Sequence, residues 1–343
     1  MKKRVFQVVL TLIFSMVALA IALRGIDFED VGSALTRVDW LWMGVTFVLI
    51  LATLVIRAAR WRILLGRTVS LRDTFGLIGI GYLISGVLPL RAGDPARAVG
   101  ASLRGSISAI AALSTVVVER VLDMLLIVMM LLATVPFVPG LQVYLATGQL
   151  NEYLSFNLVL TLSGILAFGI LLIFVLIAVF PATTEQLARR VLEAHHVPHV
   201  DRWLKPVQSI VEGLGALRSA KDGLAIGLWS IVLWLVSAMY FGTTMWACRD
   251  FIPEPSALKS LVVLWASALG MVFPATGGIG SFHFAVREAL FWGFSIARDL
   301  GFTYAVLVHT LPYLTGIGLG ALALLSWGMS PRSLISRGQA IEE

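Results

Sequence analysis

Along the chain, long apolar runs alternate with short stretches that collect most of the charge. Apolar runs cover Val5–Leu23, Trp40–Ile56, roughly Ser108–Phe137, Phe156–Phe180, Gly223–Trp246 and Phe302–Trp327. A bilayer core about 30 Å thick takes about 20 residues of helix, which these runs approach or exceed. Two further apolar segments, 74–102 and 257–294, are interrupted near their middles by Pro and Gly. Non-helical backbone at membrane depth needs partners in protein or in a watery cavity. Each segment therefore reads as a re-entrant hairpin or as two short, broken helices. The pattern predicts an all-α polytopic membrane protein: about six full spans plus two Pro/Gly-broken re-entrant hairpins, in one transmembrane domain over residues 1–343. The polar stretch 181–222 predicts amphipathic surface helices, since about 40 residues cannot bury a core of their own.

Composition agrees. Hydrophobic residues make up 58% of the chain and charged residues 13%, with a mean hydropathy of +0.91; soluble domains run at about 45–50% and about 25%. The net charge of +6 sits in short loops, where it reports orientation and contact with anionic headgroups and not nucleic acid. Lys2, Lys3 and Arg4, then Arg57, Arg60, Arg62, Arg67 and Arg72, then the arginines and lysines of 181–222, and finally Arg332 and Arg337 fall on one side if the spans alternate. That side is cytoplasmic by the positive-inside rule, as are both termini. Met1–Arg4 and the run behind it have the layout of a secretory signal, but the run exceeds the usual 7–15 apolar residues, so it is expected to stay as a first span. Trp40, Trp42, Trp61, Trp246 and Trp327 fall at expected span ends, where the indole ring favours the interface. Cys248, the single cysteine, is expected to be a packing residue.

The two broken segments resemble each other. Pro89 aligns with Pro274 and Gly93 with Gly278, each after a short apolar run, and each hairpin is followed by a long span. They start from opposite sides of the membrane, the pattern of an inverted-topology repeat. The alternative is that Pro and Gly merely kink two packed helices. Around the first hairpin cluster Arg91, Asp94, Arg97, Glu119, Arg120 and Asp123. A charge near mid-bilayer costs about 2.5–3.5 kcal/mol on insertion scales, so such a group must pair or line an aqueous cavity. Glu119 and Asp123 share a helix face, and Arg120 is spaced to pair with Asp123. Glu119 is then left for Arg91 or Arg97. Guanidinium forks suit phosphate; a self-neutralising structural network is the competing reading.

In the second half, Gly277, Gly278 and Gly280 follow Pro274, with His283 close behind. His309, inside the last span, reads as a helix-to-helix hydrogen-bonding residue or a proton relay, and the Gly316–Gly320 pair permits close helix packing. Pro198 lies inside the His195, His196, His199 and Asp201 group and keeps it from offering a helical i, i+4 pair, so no metal is expected. No phosphate-binding loop or hydrolase motif is present; no cofactor is implied.

Three motifs, Val87–Arg97 through Pro89, Gly93 and Asp94, then Val118–Asp123, then Pro274–Gly280, make the chain resemble the lysylphosphatidylglycerol synthase transmembrane, or flippase-like, family of bacterial and archaeal membranes. The resemblance covers nearly the whole chain. It departs where the family usually has Glu at Asp94, Asn at Gly86, and Pro-Gly-Gly with a downstream acid in the second hairpin; here His283 stands near that acid's place. No aminoacyl-transferase segment lies within these residues, so aminoacylation of phosphatidylglycerol is not expected.

What the resemblance implies is a lipid transporter, not an enzyme, in the inner membrane of a bacterium or archaeon. Its substrate would be an anionic phospholipid, a polyprenyl-phosphate-linked lipid or a hopanoid. Substrate contacts would come from Arg91, Asp94, Arg97, Glu119, Arg120, Asp123, Pro89, Gly93, Pro274, Gly277, Gly278, Gly280 and His283. The partners are then the membrane lipid itself and anionic headgroups, with a second copy of the chain or a lipid-biosynthesis complex as protein partners. A lipid transferase using Glu119 or Asp123 as base, or a scaffold of a lipid-biosynthesis complex, are the alternatives.

Overall fold

The computed structural model describes residues 2–88, 92–142, 156–272 and 275–328, and these are helical almost throughout, with no strand among them. Pro89, Arg91 and Pro274, all expected at the site, lie outside the described residues. The chain opens with α1 (Lys2–Leu23) and the short α2 (Phe28–Thr36). A first group follows: α3 (Trp40–Leu64), α4 (Leu71–Val87), α5 (Gly93–Arg104) and α6 (Ala109–Thr134). Next come α7 (Phe156–Val179) and two polar helices, α8 (Pro181–Ala194) and α9 (Val200–Gly213). A second group closes the fold: α10 (Ala220–Ala247), α11 (Ala257–Gly270), α12 (Ser281–Phe294) and α13 (Arg298–Trp327).

Local chemistry sets many of the starts. Asp39, Ser70, Ser108, Ser219 and Ser256 precede α3, α4, α6, α10 and α11, and each side chain accepts a first-turn N–H. Such a cap is worth about 1 kcal/mol. Among the described residues, α3, α10 and α13 are long and apolar enough to cross a membrane. Helix α6 has 26 residues, but Glu119, Arg120 and Asp123 sit near its middle.

The two groups pack alike. Helix α3 lies along α10, α4 packs on α13 as α11 packs on α6, and within each group successive helices touch in the same order. The α4–α13 contact is close because it runs glycine on glycine: a Cβ on Gly79 would lie 2.8 Å from the Gly320 amide nitrogen, and one on Gly316 would lie 2.8 Å from Tyr82. The Gly316–Gly320 pair thus does what its spacing predicts. Segments 74–102 and 257–294 resolve into the helix pairs α4–α5 and α11–α12, each folded on itself. The polar stretch after α7 is helical as expected, with Leu204 and Val211 of α9 buried where that helix meets α6.

Two readings need correction. The second apolar run does not end at Ile56; α3 continues to Leu64 and carries Arg57, Arg60 and Arg62 within it. Trp61, expected at an interface, is fully buried, with its indole N–H donated to Thr115 Oγ1 at 2.9 Å. The reason is the same in both cases: α6 offers polar partners that let α3 keep arginine and indole groups inside.

Candidate functional site

Helices α3, α5 and α6 meet in a cluster of ionised side chains. Glu119 is at its centre, with no exposed side-chain surface, between Arg97 Nη2 at 2.7 Å and Arg60 Nη2 at 3.3 Å. Arg60, equally buried, also reaches Asp123 Oδ1 at 2.8 Å and Ser230 Oγ at 3.1 Å. Trp234 of α10 donates its indole N–H to the same Asp123 oxygen at 3.2 Å. Arg97 is held further by Asp94 Oδ1 at 3.2 Å and by the face of Trp61, 4.5 Å from its guanidinium carbon. Removing one partner from such a pair costs about 3–5 kcal/mol, because the other charge is left bare. The Arg97–Glu119 pair and the Arg120–Asp123 spacing, at 3.7 Å, follow the sequence expectation.

The cluster has a tight floor and a looser mouth. Arg60, Arg97 and Glu119 form the floor. At the mouth are Arg57, Asp94 and Arg120, whose side chains are 19%, 22% and 35% exposed. Arg120 Nη2 lies 3.2 Å from Asp94 Oδ1. On α6, Arg120 falls in line with Leu113, Val117 and Met124, all exposed apolar side chains. The mouth therefore adjoins an exposed apolar stripe and not only polar surface. Among the described residues four guanidiniums (Arg57, Arg60, Arg97, Arg120) face three carboxylates (Asp94, Glu119, Asp123). Arg57 Nε, Arg60 Nε, Arg97 Nη1 and Arg120 Nε are buried without a hydrogen-bond acceptor among those residues.

The break between α4 and α5 adjoins the cluster. Gly93 donates its N–H to Ser85 Oγ at 3.1 Å, and a Cβ at Gly93 would overlap the Gly81 carbonyl. Only glycine lets α5 turn back this tightly on α4, which is what carries Asp94 and Arg97 to Glu119 and Arg120.

The second break is built differently. Gly277, Gly278 and Gly280 take φ of 59°, 75° and 89°, a region open to glycine at no steric cost. A Cβ at Gly280 would overlap the backbone of Ala18 and Leu19 in α1, and Thr276 N–H is donated to Ser15 Oγ at 2.8 Å. His309 Nε2 meets the Gly277 carbonyl at 3.0 Å, so it bonds to the backbone of the break and not, as its place in the last span suggested, to another helix. His283 is buried beside His309, ring centres 4.9 Å apart, and it accepts a long bond from Gly280 N–H at 3.4 Å. Tyr304 lies as far beyond Gly278 as Glu119 lies beyond Gly93. It is fully buried and its hydroxyl is donated to the Phe241 carbonyl of α10 at 2.8 Å. Where the first half holds an ion cluster, the second holds an aromatic core.

A separate polar group lies midway along α12 and reaches the start of α13. Glu288 binds Arg298 Nε at 2.8 Å, Arg287 Nε at 3.0 Å and Trp292 Nε1 at 3.0 Å. Arg287 also donates to the carbonyl of Ala22 at 2.5 Å and of Arg24 at 3.2 Å, capping the end of α1.

Of the expected site residues, the structure brings together Asp94, Arg97, Glu119, Arg120 and Asp123, with Gly93 making the turn. Gly277, Gly278, Gly280 and His283 gather at the second break. Missed were Arg57, Arg60, Ser230, Trp61 and Trp234. The signal for the arginines was present: buried Leu54, Ala58, Trp61 and Leu65 continue α3's helical spacing straight past them.

A family model described as the lysylphosphatidylglycerol synthase TM region matches residues 8–320. No curated protein matches the chain, and neither does any solved structure.

Proposed function

For a chain that belongs to the lysylphosphatidylglycerol synthase TM family, we propose transport of a lipid between membrane leaflets or compartments. The observation that supports this reading is the guanidinium-rich cluster opening beside an exposed apolar stripe of α6. A headgroup would enter at Arg120, with acyl chains left in lipid. Asp94, Glu119 and Asp123 would orient the arginines, and the broken backbone near Pro89, Gly93, Pro274 and Gly277–Gly280 would let the path stay lined by protein. Arg91 belongs to this proposal by its place beside Asp94 in the sequence. The protein acts without making or breaking a covalent bond.

The proposal has a topological part. Residues 1–343 act as one domain of about six spans in a bacterial or archaeal inner membrane, with both termini and helices α8 and α9 in the cytoplasm. The α4–α5 and α11–α12 pairs are re-entrant hairpins of an inverted repeat, and the matched packing of the two groups supports that reading. The helices of these pairs have 17, 12, 14 and 14 residues, short of the about 20 a span takes.

The test is reconstitution into liposomes with fluorescent phospholipids and a membrane-impermeant quencher. Translocation should exceed that of protein-free vesicles and should fall about tenfold or more in Arg120→Ala, since a charged hydrogen bond carries about 1.5–3 kcal/mol. Protein-free rates in the wild-type vesicles would overturn the reading.

A further inference from the structure

We infer that the hairpin of α8 and α9 is a membrane-surface module, docked by one apolar face into the headgroup layer of the bilayer. This face is independent of whatever the ion cluster on α3, α5 and α6 carries.

Helix α7 has 24 residues and no charged side chain among them, and its last turns expose Leu172, Leu176 and Val179. Helix α8 leaves the end of α7 at an angle of 103°. An amphipathic helix set across a span runs along the membrane surface and not away from it. Phe180, exposed at the corner, joins the apolar surface of α7 to that of α8.

Side-chain contacts fix which way the hairpin faces. Gln208 Nε2 donates to Glu185 Oε2 over 3.3 Å, and Arg189 Nη2 donates to Asp201 Oδ1 over 2.9 Å. The two helices therefore run antiparallel with these residues turned toward each other. Helical spacing sets the apolar residues of each helix to one side of that contact, and the antiparallel pairing brings both sets onto the same face. On α8 these are Leu187 and Val191, which are 61% and 50% exposed. On α9 they are Trp203 and Ile210, also exposed, with Val207 between them. Leu204 and Val211 continue the face and are buried where α9 meets α6. A Cβ on Gly213, at the end of α9, would overlap the Ala111 carbonyl in the first turn of α6. One edge of the face thus rests on the start of an expected span, and the bilayer that this span enters lies on the same side.

Charge decides what kind of lipid surface fits. The hairpin carries Arg189, Arg190, Arg202 and Lys205 against Glu185, Glu193, Asp201 and Glu212. The four positive and four negative charges cancel, so anionic headgroups do not draw it in. Docking rests on apolar area, with the Trp203 indole in the layer that such rings favour. The partner is therefore a phospholipid surface, neutral or anionic alike.

The experiment places the full chain in nanodiscs of phosphatidylcholine, and of phosphatidylcholine with phosphatidylglycerol. Nitroxide labels are attached through Leu187→Cys, Ile210→Cys and, on the polar side, Arg202→Cys, all at exposed positions. The parent chain, whose Cys248 is fully buried, is the blank. At 187 and 210, collision with oxygen, which concentrates in lipid, should exceed collision with a water-soluble nickel chelate. At 202 the order should reverse. The same pattern is expected in both kinds of nanodisc. Labels at 187 and 210 as open to nickel as the one at 202 overturn the docking. Labels closed to both reagents put a protein on the face, a second copy of this chain or another, and overturn it too. A lipid-like response confined to nanodiscs with phosphatidylglycerol overturns docking by apolar area.

Discussion

Tyr313 donates its hydroxyl to the carbonyl of Gly86 over 2.9 Å, fastening the middle of α13 to the end of α4. One turn earlier on α13, His309 holds the Gly277 carbonyl at the second break. A single helix thus satisfies backbone carbonyls beside both interruptions. Broken helices at membrane depth require such partners, and here they come from side chains four residues apart.

Tyr313→Phe removes the donor and keeps the ring. The Gly86 carbonyl then lacks this partner in a part-buried place, which costs about 1–3 kcal/mol. Thermal unfolding in detergent should show a lower midpoint for Tyr313→Phe. His309→Phe should act in the same direction, because Gly277 loses its bond too. A Tyr313→Phe midpoint equal to wild type would show that the bond holds nothing.

The division between what the sequence disclosed and what it hid follows from these contacts. Long apolar runs and Pro/Gly breaks are local signals, so the helices, the two folded pairs and the glycine seam between α4 and α13 were legible. Glu119, Arg120 and Asp123 were legible as well, since three charges inside an apolar run must pair with one another or line a cavity. Arg57 and Arg60 were not, because charge after an apolar run reads as the end of a span. The apolar spacing that continues past them hinted at burial, but the carboxylates that make it tolerable lie about 60 positions away in sequence, beyond the reach of a local pattern. Trp61 was misplaced for the same reason: its partners, Thr115 and Arg97, come from other helices.

Glu119 is expected to behave as a structural keystone and not as a base. Glu119→Leu strands Arg60 and Arg97 in the interior and should cost about 3–5 kcal/mol. Pairing it with Arg97→Met removes both charges of the closest contact. The double variant should therefore be less damaged than the sum of the singles predicts, by about 0.5–3 kcal/mol of coupling. Denaturation of the four proteins completes the cycle; additive losses would mean that the 2.7 Å contact carries no energy.

Gly93→Ala should be far more harmful than an alanine at an ordinary helix start. Its Cβ would overlap the Gly81 carbonyl and Ser85 Oγ, and backbone cannot give way as a flexible side chain can. Overpacking of this kind costs about 1–3 kcal/mol and sometimes more. It would also push α5 off α4, moving Asp94 and Arg97 away from α6. Gly318→Ala, where a Cβ meets nothing within 4 Å, is the matched control and should be silent in stability and in lipid translocation.

Glu288 offers the means to tell stability from lipid handling. It gathers Arg287, Arg298 and Trp292, and through Arg287 it steadies the end of α1. The group lies on α12 and α13, apart from the ion cluster on α3, α5 and α6. Glu288→Gln keeps the shape but removes the charge, so Arg287 and Arg298 lose their ionic partner and α1 loosens. Limited proteolysis should cut faster at Arg24, where the chain leaves α1, and the unfolding midpoint should fall. Lipid translocation in the liposome assay should stay at the wild-type rate, because none of the mouth residues has moved. A changed rate with unchanged cleavage would instead tie lipid handling to the second half of the molecule.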